Sequence, residues 1–85
     1  MPMNKSMEKR LRQLRKATVR NRGYRSRMRT SMRAAREAGE EHADDVAARL
    51  SEAQKMIDKA AKVGAIHRKT ADRTKSRLAK QLAEA

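Results

Sequence analysis

The chain has 85 residues, room for one small domain, and sets 23 Lys and Arg against 10 Asp and Glu, a formal net charge of +13. Self-repulsion on that scale works against compaction, and a polyanion relieves it, because neutralising phosphates releases condensed counterions. The absence of Cys excludes disulfides and thiolate metal sites, and no apolar run approaches the ~18 residues of a membrane span.

The N-terminal stretch lacks the apolar core of a secretory signal, so a soluble cytoplasmic protein is expected. Apolar material is thin. Tyr24 is the one aromatic residue, and the rest is mostly Ala with six Met and a few aliphatics. Burial at about 25 cal/mol per Å2, against an ordering cost of about 1.5 kcal/mol per residue, leaves such a core near balance. Marginal stability alone is expected, with part of the chain ordered on its partner.

Gly39 and Gly64 divide the chain into three segments. Each is rich in strong helix formers, and none shows the alternation of a strand. The first, about Lys5 to Ala38, spaces Met7, Leu11, Leu14, Tyr24, Met28, Met32 and Ala35 mostly three or four apart. Its stripe weakens around Thr18, Asn21 and Gly23. A helix of this length, about 50 Å, outruns the other two, so its N-terminal half is expected to project as an arm.

The second segment, residues 41–63, carries Ala43, Val46, Ala47, Leu50, Ala53, Ile57, Ala60 and Ala61 on one stripe. Glu40, Glu41, Asp44 and Asp45 read as its acidic first turn and Lys59 and Lys62 as its basic end, which suits the helix dipole. Gly39 and Gly64 stand where left-handed residues commonly close helices. The third segment, residues 67–84, presents Ala71, Thr74, Leu78 and Leu82 on one face and Lys69, Arg73, Arg77 and Lys80 roughly opposite. Short connections favour antiparallel neighbours. The expected fold is all-α, one domain over residues 1–85. It is a three-helix bundle whose overlong, basic first helix (residues 1–38) projects as an arm.

Charge is distributed unevenly: residues 1–36 carry +12, residues 37–60 carry −4 and residues 61–85 carry +5. The first and third helices are therefore expected to face nucleic acid and the second to face solvent. Along the first helix the cations point in nearly every direction, at about 100° per residue. One flat phosphate surface needs only one basic face. Charge on all sides suits a helix inserted between several backbones of a folded RNA. Arg outnumbers Lys there, and its planar fork suits phosphate and base stacking. A solvated basic tail would not continue the Leu and Met stripe. A basic-helix reader of duplex DNA would carry a heptad zipper after its basic region, and none follows. Composition alone does not separate RNA from DNA.

Catalysis finds little support. His42 and His67 are the only histidines, with neither Cys nor a compact acid cluster at metal spacing. His67 either starts the third helix or contacts RNA. No cofactor, metal or small-molecule substrate is expected.

The ordered set Lys5-Ser6, Lys9-Arg10, Arg20-Asn21, Arg25-Ser26, Arg29-Thr30 and Ala38-Gly39 resembles the S20 family of bacterial small-subunit ribosomal proteins. The similarity continues through Gly64, Ile66-His67, Ala71, Arg73, Lys75, Ser76, Arg77 and Leu78. Two residues depart from it: Lys69 stands where that family often has Asn, and Asp72 where it often has Ala. The resemblance implies a three-helix bundle bound directly to 16S ribosomal RNA, ribosome-bound in the cytoplasm, with few protein contacts. The residues expected at the RNA are Lys5, Lys9, Arg10, Arg12, Lys16, Arg20, Asn21, Arg25, Ser26, Arg29 and Thr30 in the first helix. In the third they are His67, Arg68, Lys69, Arg73, Lys75, Ser76 and Arg77. A nucleoid-type DNA-binding protein is the alternative from the same charge pattern. A protein-binding module built on the acidic second helix is a third possibility.

Overall fold

The computed structural model describes residues 4–84 and contains three helices, α1 (Lys5–Glu40), α2 (Val46–Lys62) and α3 (Arg68–Glu84), with no strand among the described residues. Helix α1 starts on a side-chain cap: Asn4 Oδ1 accepts the Met7 backbone N–H at 2.8 Å, satisfying one of the donors orphaned at a helix start. It then runs unbroken for 36 residues, straight through Gly23.

The end of α1 departs from the expectation at Gly39. That glycine is helical and buried, and the left-handed residue is His42, with φ of 52°. The Ala43 N–H reaches Ala38 O at 2.9 Å and the His42 N–H reaches Gly39 O at 3.2 Å, the paired bonds that close a helix in the Schellman manner. Gly39 serves close approach instead: a Cβ there would lie 2.6 Å from Leu82 Cδ2 of α3.

Closing α1 this way consumes Glu41, His42 and Ala43, so α2 begins at Val46, five residues after the expected start of the segment at residue 41. The expected acidic first turn is corrected accordingly. Glu40 ends α1, Glu41 and Asp44 lie in the connection, and Asp45 precedes α2 with its carboxylate turned to Arg49 Nε at 2.9 Å. Ala47, expected on the stripe, is exposed. The basic end stands as read, with Lys59 and Lys62 in the last turn of α2. Gly64, with φ of 81°, closes α2 through Ala65 N–H to Ala60 O at 2.8 Å and Gly64 N–H to Ala61 O at 3.1 Å.

The core is small and lies where the three helices overlap. Met32, Ala35, Ala53, Ile57, Ala71 and Leu78 are buried together, with Met28, Leu50, Ala61, Ile66 and Leu82 packed around them. Helix α2 is the central element, packing most extensively on α1, while α1 and α3 share the least contact. Arg36 Nε adds a bond to Gln81 Oε1 of α3 at 3.1 Å. The radius of gyration, 17.1 Å, exceeds the about 12 Å expected of a compact chain this long. Extents of 59 × 20 × 17 Å show why: the N-terminal half of α1 stands beyond the bundle.

Candidate nucleic-acid interface

From Asn4 to Arg20 every residue is exposed apart from Leu11 and Ala17, which are half-buried. Met7 and Leu14, placed by spacing on the core stripe, are 52% and 58% exposed and join no core; the bundle ends before reaching them. Within this arm the two chemistries separate. Lys5, Lys9, Arg12 and Lys16 fall on one face at helical spacing, and Met7, Leu11 and Leu14 lie roughly opposite. Arg10 and Arg15 flank the apolar stripe, so cations border it on both sides. Farther along, Ser26, Arg29 and Thr30 are exposed, and the Thr30 hydroxyl donates to its own helix at Ser26 O, 3.0 Å away. Arg15, Arg22, Arg27 and Arg33, outside the expected set, are exposed on the same helix. The guanidinium of Arg27 lies 5.2 Å from the Tyr24 ring centroid, in cation–π range. The net charge of the segment was the signal for these four.

Arg20, Asn21 and Arg25 of the expected set are also engaged within the molecule. The Arg25 Nη1 donates to Ala65 O at 3.2 Å in a partly buried bond, and Arg20 Nη2 donates to Val63 O at 3.4 Å. Arg20 Nε also donates to Asn21 Oδ1 at 3.4 Å. Both carbonyls belong to the turn after α2, the negative end of that helix dipole.

Helix α3 carries the second basic surface. His67 precedes it, and its Nδ1 accepts the Lys69 backbone N–H at 3.1 Å, a side-chain cap at the helix start. Of the two roles open to His67, this contact fulfils the first. Arg68, Lys69, Arg73, Ser76 and Arg77 are exposed. Lys75 is not: it is half-buried and pairs with Asp58 Oδ1 of α2 at 2.8 Å. Its ammonium is held above the ordinary lysine value chiefly by that hydrogen bond; partial loss of solvent is the main opposing effect, the charges of Asp58 and Asp72 reinforce the rise, and Arg68 opposes it weakly.

Among the described residues no polar or charged side chain is fully buried, and no group of three or more His, Asp and Glu side chains could hold a metal ion. No described helix is long and apolar enough to cross a membrane. A slender helix charged along its whole length and seated on a three-helix base defines a class: small, all-helical, polycationic proteins whose surface is matched to a polyanion.

The chain belongs to the ribosomal protein S20 family, which matches residues 2–83. It is 48% identical over 83 residues to the small ribosomal subunit protein bS20 of Gemmatimonas aurantiaca, covering 98% of this chain and 95% of that one. It is 46% identical to the protein of that name from Rhodopirellula baltica over 79 residues, 92% of this chain and 88% of the relative. The counterpart in Desulforapulum autotrophicum is 44% identical over 85 residues, 96% and 99% of the two chains.

Proposed function

We propose that this chain is a structural constituent of the small ribosomal subunit that binds 16S ribosomal RNA directly and stabilises its fold during assembly. The observation that carries the reading is α1. It spans 36 residues, and its N-terminal half leaves its own bundle with its cations exposed. Such a helix gains little from its own chain and is stabilised when phosphate surrounds it. Family membership supports the same reading. Mechanistically, the protein places fixed positive charge where RNA strands converge and offsets their repulsion. Lys5, Lys9, Arg10, Arg12, Lys16 and Arg29 on α1 and Arg68, Lys69, Arg73 and Arg77 on α3 are assigned to the phosphates. Ser26, Thr30 and Ser76 assist as short polar contacts. The protein resides in the cytoplasm on the ribosome, with few protein contacts, no cofactor and no catalytic role.

Sucrose-gradient sedimentation of a lysate containing the chain, at high and low magnesium, tests this. Co-migration with the small subunit after the subunits separate is the expected result. Migration at the top of the gradient or with the nucleoid overturns it. Binding of the purified chain to structured RNA is also expected to resist competition by duplex DNA.

A further inference from the structure

We infer that Arg20 and Arg25 are positioning residues for RNA binding: from α1 they grip the turn between α2 and α3, and so fix where α3 presents Arg68 and Lys69 relative to the cations of α1. The inference rests on the RNA-binding reading above and reassigns two residues within it.

Residues 63–67 alone connect α2 to α3, so the path of this turn sets the direction in which α3 departs. Internally the turn is closed by Gly64 in its left-handed conformation, and Ala65 is buried beneath it. Its outward carbonyls at Val63 and Ala65 flank that glycine, and each receives an arginine of α1, at 3.4 Å and 3.2 Å. The two arginines are five residues apart, about 7.5 Å along the helix axis. Rooted at separate points of α1 and bound to different carbonyls, Val63 O and Ala65 O, they stop the turn from swivelling about either one. Their charge also meets the negative end of α2, where a cation is favourable. Beyond the turn the His67 cap starts α3 at once, so a fixed turn gives a fixed first turn of α3. The result is one platform with two cationic surfaces in set relation. RNA that touches both then meets a surface already ordered, and avoids the ordering cost that weakens association.

The alternative role for the same arginines is direct contact with phosphate, and salt dependence separates the two. A lost phosphate contact reduces the slope of log K against log salt by about 0.7–0.9, whereas a lost positioning contact lowers affinity and leaves the slope in place. The experiment compares wild type, Arg25→Ala, Arg20→Ala and the exposed control Arg29→Ala. Each is titrated with transcribed bacterial 16S ribosomal RNA over a salt series. Amide hydrogen exchange is followed on the RNA-free chains.

Arg25→Ala is expected to bind roughly three- to tenfold more weakly with the wild-type slope, and to exchange faster over residues 64–71 without RNA. Arg29→Ala is expected to lose slope and keep wild-type exchange. Should Arg25→Ala lose its helicity, Arg20→Ala, whose bond is longer and exposed, carries the same comparison. A slope loss in these variants matching Arg29→Ala, with exchange unchanged, overturns the inference alone. Failure of the wild type to bind overturns the RNA-binding reading and the inference with it.

Discussion

His42 holds a backbone conformation that side chains with a Cβ ordinarily avoid, with φ of 52° at the end of α1. Glycine at this position removes the Cβ contact, at some loss of chain entropy on folding. His42→Gly is therefore expected to stabilise the bundle by about 0.5–1 kcal/mol, seen as a thermal midpoint several degrees higher. An unchanged midpoint would mean the imidazole makes a compensating contact. Gly39 poses the reverse problem. Alanine is the better helix former by about 1 kcal/mol, yet its Cβ would press on Leu82 Cδ2. Gly39→Ala is expected to be neutral or destabilising in the wild type and stabilising by about 1 kcal/mol once Leu82→Ala has removed the obstacle. Denaturant unfolding of the four chains of that cycle gives the answer, and additive effects would refute the packing role of Gly39.

At the scale of elements, Gly23 is the least favourable helix residue of α1, and a Cβ there meets nothing within 4 Å. Gly23→Ala is expected to slow amide exchange in the arm and to raise RNA affinity by up to roughly fivefold, because less ordering remains to be done on binding. A fall in affinity would show instead that RNA needs the open backbone at Gly23. Three helices, and a first one too long for its partners, were legible in the sequence because the apolar spacing has a helical period and Ala, Arg and Met favour that state. The start of α2 was not, since the same spacing runs back through Ala43 into the connection. Gly39 was ambiguous in principle. A glycine serves left-handed turns and close approach alike, and only Leu82, far along the chain, decides between them. The two basic surfaces could likewise be read from charge, whereas their inward-turned members could not. The carbonyls that hold Arg20 and Arg25 lie 43 and 40 residues away in sequence, and the acid facing Lys75 sits on another helix.

For the molecule as a whole, shape and charge act together. Cations spread along a 59 Å body repel one another less than they would in a compact one, so the elongated form moderates the strain of a +13 chain. Arg29 and Arg73 are exposed on two different helices. Converting both to Glu is expected to leave helicity intact, to weaken RNA binding strongly at moderate salt, and to lower the salt slope by at least about 1.4–1.8. Filter binding across a salt series measures this, and an unchanged slope would exclude both residues from the phosphate contacts. Arg25 is a poor target for that purpose, because reversing its charge also breaks its bond to the turn. The arm has a further consequence, for the lifetime of the protein. Its Met7 and Leu14 pack against nothing in the bundle, and its local opening draws on no tertiary contact, so the unbound chain offers six Lys and Arg between Asn4 and Val19 to trypsin-like proteases. RNA laid over the arm would cover those bonds, so limited trypsinolysis is expected to cut the free chain in the arm first and to slow there once 16S ribosomal RNA is added; equal rates would place the arm outside the contact.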